Sequence, residues 1–166
     1  MNTPANNFHS GKAPQYLKFA LREVTEAAAR AANEWIGRGE ARQINEAAVS
    51  AMRNAFSAIP IKGQIVIGDG SDAADQRAAF TNGEIVGDSN AKLEFDIAVD
   101  PVEGTSFLMR GMTNAMAVIA LAPKGTIMNT GPAFYMEKFV GPPAVRGKID
   151  PESPLEDKLA IIARET

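Results

Sequence analysis

Residues 95–106, FDIAVDPVEGTS, deliver Asp100 to the carboxyl end of an apolar run; Pro101 stops the run, and Glu103, Gly104 and Thr105 follow at once. Two carboxylates on a stiff turn beside a hydroxyl are the donor set that a hard divalent cation and a phosphate oxygen require. A Pro-Gly turn of this kind also serves as punctuation between strands, with its acids facing water. Spacing alone leaves both readings open. Two other stretches fail on their own geometry. Residues 69–75 have the acidity of a calcium loop, but position twelve counted from Asp69 is Phe80 rather than glutamate. GPPAVRGK at 141–148 is one residue too long for a phosphate-binding loop, and Ile149 stands where Ser or Thr is needed, so it reads as a linker.

The elements that must carry the acid turn show in the periodicity. Leu17, Leu21, Val24, Ala28, Ala31 and Trp35 recur at alternating four- and three-residue steps, an amphipathic helix closed by Gly37 and Gly39. A second helix is expected from about Asn45, with Val49, Met52 and Phe56 on its apolar stripe and Pro60 closing it. Asn45 suits the N-cap of that helix, because its side-chain oxygen can accept from the first turn. Past this point the period changes. Residues 64–67, 95–99, 115–121 and 126–128 are short, apolar and bounded by Gly, Pro or Asn, and read as strands. Helices followed by strands indicate an α+β domain. Residues 1–16 read as a flexible polar arm, 17–154 as the α+β domain, and 155–166 as the start of an outgoing helix. Met109, Met112, Met116 and Met128 read as core fillers.

Composition narrows the chemistry. The 166 residues are 45% apolar and 22% charged, which suits one globular domain. A net charge of −3 leaves no electrostatic footprint for nucleic acid, so a phosphate ligand must be met by local donors or a metal. There is no cysteine, and the single histidine, His9, lies in the polar arm; thiolate chemistry and Cys- or His-based metal sites drop out. No apolar run approaches the ~18 residues of a spanning helix, and the N-terminus lacks a signal-peptide core. The expected location is the cytoplasm.

Four words occur in order: IVIGDG (65–70), DIAVDPVEGT (96–105), NAMAVIALAPKG (114–125) and FYMEKFVGPP (134–143). Together they closely resemble the first half of the class 2 fructose-1,6-bisphosphatases, metal-dependent sugar phosphatases of the inositol-phosphatase-like superfamily. The resemblance runs over residues 24–154. It implies an α+β domain with two helices packed on a mostly antiparallel sheet. It also implies that Asp100 and Glu103 bind metal, and that Thr105 orients the attacking water. Backbone N–H groups from Gly104 to Ser106 would hold phosphate oxygens, and Tyr135 would contact the sugar phosphate.

This chain departs from the family pattern at several of those places. GRGEARQIN at 37–45 puts Asn45 where the family has a metal-binding aspartate and Ala41 where it has a lysine. Asp69 replaces a glutamate, one methylene shorter, and Ser71 replaces a second. A unit charge ~4 Å from another is worth ~4 kcal/mol gross at an effective dielectric of ~20, and roughly twice that against a divalent ion. Mg²⁺ or Mn²⁺ is therefore expected to bind weakly at best, through Asp100 and Glu103, with Asp69 a weak ligand and Asn45 a degenerate one.

Members of the family continue into a second α/β domain. The expectation is a truncated member, catalytically inactive alone and acting as a structural, regulatory or complex-assembly subunit. The alternative is one half of a split Mg²⁺- or Mn²⁺-dependent sugar bisphosphatase that needs a separate C-terminal partner. Leu155, Leu159 and Ile162 form an apolar stripe on the outgoing helix. They are the expected interface with a protein partner or a second copy.

Overall fold

The computed structural model describes residues 15–70, 78–131 and 137–166. The chain divides into two compact units, one ending at Asn129 and one spanning Thr130–Thr166. The first unit carries α1 (Gln15–Asn33), α2 (Ala41–Ser57), β1 (Lys62–Ile67), β2 (Ile85–Gly87), β3 (Glu94–Glu103), a short α3 (Thr105–Met109) and β4 (Met116–Pro123). The strands lie in the order β2-β1-β3-β4. β1 runs parallel to β3, while β1–β2 and β3–β4 are antiparallel. Two helices on a mixed, mostly antiparallel sheet is the α+β architecture expected.

The core forms where the helical stripes meet one face of the sheet. α1 contributes Leu17, Val24 and Ala28; α2 contributes Ile44, Val49, Met52 and Phe56; the sheet contributes Ile65, Ile97 and Val99. Phe80, from the connection between β1 and β2, meets Phe56 edge to face at 6.2 Å, a favoured aromatic geometry.

Several expectations are corrected. α2 begins at Ala41 with Glu40 at its N-cap, so Asn45 lies inside the helix and caps nothing. No strand forms at 126–128. Instead the Thr126 N–H donates to Pro123 O, and the Ile127 N–H donates to Asp96 Oδ2, which folds the chain into a turn. Asp96 is buried and faces Lys124 at 3.4 Å. Burial would raise its pKa, but the Ile127 N–H and the Lys124 ammonium outweigh this and hold the carboxyl below its usual range. Of the methionines read as core fillers, Met112, Met116 and Met128 are exposed, and only Met109 packs against the core. β2 has no signal in the sequence pattern, because three residues are too few to show alternation.

The Thr130–Thr166 unit holds a 3-10 turn, Pro143–Val145, and α4 (Leu155–Glu165), which pack together. Val145 is buried there, so the segment read as a linker is folded. Lys148 pairs with Glu165. Leu155 and Leu159 are 62% and 55% exposed, while Ile162 is half-buried. Among the described residues no helix is long and apolar enough to cross a membrane.

Candidate functional site

Parallel pairing decides where the acids meet. β1 and β3 run side by side with Ile67 opposite Ala98, so both strands release their chains at the same edge of the sheet. Asp69 follows β1 by two residues, and Asp100 and Glu103 lie at the end of β3. Crevices outside the carboxyl ends of parallel strands are habitual ligand positions. The pairing of β3 with β4 shifts register between Asp100 and Glu103, an irregularity that contains Pro101. Bulges of this kind re-aim side chains. Pro101 and Val102 turn inward and are buried, while Glu103 is exposed. Gly104 then takes a left-handed conformation (φ 85°) that starts α3, a position where any other residue would be strained.

The side chains at this edge act on one another. Asp100 Oδ1 accepts the Val102 N–H at 3.0 Å. Burial, then the hydrogen bond that the protonated Asp100 carboxyl donates to Glu103, and the charges of Glu103 and Asp69, push the Asp100 carboxyl up to about 6 against the downward pull of the Val102 N–H. Among the described residues no lysine or arginine forms a salt bridge with Asp100 or Glu103. Among the described residues the pair is therefore not neutralised by an ion pair.

Asn45 reaches the same edge from α2. Its Oδ1 accepts the Thr105 Oγ1 hydroxyl at 3.3 Å, and the same hydroxyl also lies 3.0 Å from Val102 O. Loop contacts hold the start of α2 near α3, for Gly37 N–H donates to Leu108 O and Gly39 N–H to Met109 O. Ser106 is exposed, and its carbonyl accepts from Arg110 Nε at 3.0 Å. Tyr135 and Ser71 lie outside the described residues. Asn45, Asp69, Asp100, Glu103, Gly104, Thr105 and Ser106 therefore gather at one edge.

Two neighbouring acids are the start of a divalent-cation site, but among the described residues no three acids converge closely enough to hold one together. A pair of acids falls short of the closed oxygen cage that a tightly held divalent ion needs.

The Asp100 pair makes stability pH-dependent in a definite direction. With a folded pKa near 6 against 3.8 in the unfolded chain, the folded state binds the proton more tightly between those values. Stability is then highest below pH ~4, falls as pH rises through ~4 to 6, and stays level above. Asp100→Asn keeps the acceptor for Val102 and removes the charge. It should raise stability at pH 7.5 by about 1 kcal/mol, after discounting for solvent screening of a half-exposed group. In a chain of this size that is a gain of about 2–4 °C in Tm. Thermal melts of both proteins at pH 4 and 7.5 provide the check. A gain of equal size at both pH values would show that the charge is not responsible.

One feature of this edge has no local signal in the sequence. Arg53 on α2 forks onto Glu84, with Nε to Oε1 at 2.7 Å and Nη2 to Oε2 at 3.0 Å, and Nη2 also reaches Ala79 O at 2.8 Å. Its guanidinium lies 4.6 Å from the centre of the Phe80 ring. Phe80 in turn donates its N–H to Asp69 Oδ1 at 2.7 Å. Arg53 and Glu84 are 31 residues apart, and only the fold shows that they meet.

Residues 15–166 match the family described as bacterial fructose-1,6-bisphosphatase, glpX-encoded. A D-fructose 1,6-bisphosphatase class 2/sedoheptulose 1,7-bisphosphatase of Synechococcus sp. is 39% identical over 158 residues, covering 89% of this chain and 45% of that protein. The fructose-1,6-bisphosphatase 1 class 2 of Escherichia coli is 42% identical over 147 residues, covering 89% and 43%. The chain spans less than half the length of these curated relatives. Among solved structures, an extragenic suppressor from Pyrococcus furiosus aligns with a TM-score of 0.45 and 10% identity, over 66% of this chain and 41% of that one. With the family match running from the first residue of α1 to Thr166, the chain belongs to the glpX-encoded bacterial fructose-1,6-bisphosphatase family.

Proposed function

We propose that this chain keeps the metal- and phosphate-facing turn of a class 2 fructose-1,6-bisphosphatase but does not hydrolyse fructose 1,6-bisphosphate by itself, and that it acts as a regulatory or complex-assembly subunit. The observation that carries this reading is the composition of the edge. Two carboxylates touch there, and the position opposite Thr105 is the neutral amide of Asn45. A cation held by Asp100 and Glu103 would polarise a phosphoryl oxygen and acidify a bound water. Thr105 would orient the attacking water, with its hydroxyl already fixed between Asn45 and Val102 O. Phosphate monoester hydrolysis needs acceleration of up to ~10²¹-fold, and an open two-acid site is poorly equipped for that. The exposed Leu155 and Leu159 on α4 support an assembly role, because apolar side chains repeated along one helix face recover free energy when a partner covers them.

One experiment addresses both parts. The pure chain with excess Mg²⁺ or Mn²⁺ should release no phosphate from fructose 1,6-bisphosphate above the no-protein control, and light scattering should find an oligomer that Leu159→Glu weakens. Metal-dependent turnover that disappears in Thr105→Ala would overturn the non-catalytic reading. A monodisperse monomer indifferent to Leu159→Glu would remove the assembly role.

A second reading has its own support. The meeting of Asp100, Glu103 and Thr105 at one edge suits one half of a split bisphosphatase. That reading requires activity to emerge when a polypeptide covering the remainder of the relatives' length is added.

A further inference from the structure

We propose that β4 pairs edge to edge with β4 of a second copy of this chain, antiparallel and about a two-fold axis at Ile119. Four strands from each copy then form one continuous sheet, at a surface separate from the α4 stripe. The sheet order leaves β2 and β4 as its outer strands, and the two are built differently. β2 is three residues long and lies between Glu84 and Asp88, a short, charge-flanked edge that offers little to another strand. β4 runs for eight residues, MAVIALAP, and pairs among the described residues with β3 alone. From Met116 to Ala122 it contains no charge, no glycine and no proline, and its pairing with β3 is unbroken from Val118 to Pro123. The devices that ordinarily blunt an edge are absent from this stretch. Half of the backbone N–H and C=O groups of such a strand point away from its one neighbour and are open to another strand.

The residue order of β4 points to a second copy as the occupant. Pairing centred on Ile119 sets Met116 opposite Ala122 of the other copy, Ala117 opposite Leu121, and Val118 opposite Ala120. Every large side chain away from the axis thus meets a small one, and the two-fold axis repeats each contact in reverse. Opposite residues share a face of the sheet. Ala117, Ile119 and Leu121 face the helices, where they are only partly buried against the core. Met116 and Val118, on the other face, are 58% and 41% exposed. A cleft supplies a second, independent observation. Beside the start of β4, Ala29 and Ala32 of α1 line an open, mostly apolar cleft of about 190 Å³ with Val102, Leu108 and Ala117. With Leu121 of the other copy opposite Ala117, its side chain enters that cleft, once at each end of the paired strands. A peptide of unrelated sequence would gain the backbone bonds but not this match.

The test uses the whole chain, with its dimerisation constant read by sedimentation equilibrium. Ala120 is exposed, and in this register the two copies of residue 120 are diagonal neighbours, ~7–8 Å apart across the axis. Ala120→Lys and Ala120→Glu should each weaken dimerisation about tenfold or more through like-charge repulsion. An equimolar mixture of the two should restore it, which a merely misfolded variant would not do. Leu159→Glu should leave this association unchanged. The chain has no cysteine, so Ile119→Cys gives an independent reading of the register. Mild oxidation should join two copies at the axis, where residue 119 faces itself. It should not join them in Ala117→Cys, whose copies lie four residues out of step. A parent chain that sediments as a monomer overturns the pairing, and so does a dimer indifferent to both charges at position 120. Association that only Leu159→Glu weakens would leave the assembly reading standing and remove β4 from it.

Discussion

Gly68→Ala should destabilise the chain by about 3 kcal/mol or more, the sum of an overpacking strain and two or three weakened hydrogen bonds at ~1 kcal/mol each. A Cβ built at Gly68 would stand 2.1 Å from Phe80 O and 2.8 Å from its carbonyl carbon, with Ile65 Cγ2 at 3.3 Å on another side. The obstructing atoms are backbone, so no rotamer change relieves the clash; the 68–70 and 79–82 segments must part. Those segments are joined by the Gly68–Asn82, Asp69–Phe80 and Gly70–Phe80 bonds, and all three would lengthen. In a chain of this size the loss corresponds to roughly 6–12 °C in Tm. Gly83→Ala is a useful contrast. Its φ of +90° is unfavourable for alanine, but nothing lies within 4 Å of the new methyl, so its cost should be only about 1–2 kcal/mol. Calorimetric melts of both variants decide the matter. If Gly68→Ala costs less than Gly83→Ala, the two segments part easily, and the three bonds between them contribute little.

What could be read from the sequence follows a physical division between local and distant information. The acid turn was legible because everything that makes it is contiguous: an apolar run, a proline that cannot donate, a glycine that accepts positive φ, and two acids between them. The apolar stripe of α2 was equally legible, since Val49, Met52 and Phe56 carry the helical period and are all buried. Asn45 shows the limit. Its type favours an N-cap, yet α2 starts four residues earlier without any side-chain cap, because tertiary packing of Ile44 and Ala48 extends the helix. The failed strand at 126–128 has the same origin. Its apolar composition was overruled by Asp96, thirty-one residues away, which captures the Ile127 N–H. The pairing of Arg53 with Glu84 has no local signal for that reason too. Of the site, types and spacing gave Asp100, Glu103 and Thr105, and the family resemblance added Asn45 and Asp69. Their convergence depends on the parallel register of β1 with β3, which no local pattern encodes.

Restoring both acids, Asn45→Asp with Asp69→Glu, should raise Mn²⁺ affinity by about 10- to 100-fold. One added charge near a divalent ion is worth several kcal/mol gross at an effective dielectric of ~20. Solvent and repulsion among the carboxylates cancel most of that, leaving about 1.4–2.7 kcal/mol, which is that fold-change. Position 45 is well placed to deliver it, since Asn45 Oδ1 already lies 3.3 Å from Thr105 Oγ1, two residues past Glu103. The repulsion is itself measurable. In the absence of metal the new carboxylate adds a like charge beside a pair that already holds Asp100 up to about 6, so the double variant should melt below the parent at pH 7.5. Adding Mn²⁺ should reverse the order, because a ligand that binds only the folded state stabilises it by RT ln(1 + [L]/Kd). Protons compete for the same oxygens, so the Mn²⁺ effect should shrink as pH falls below ~6. Calorimetric titration and melts with and without Mn²⁺ supply both readings. An affinity unchanged by the double substitution, with no Mn²⁺-dependent rise in Tm, would mean that position 45 does not face the cation. The edge would then be a folding turn that kept its acids, and the neutral amide of Asn45 could not explain a lack of catalysis.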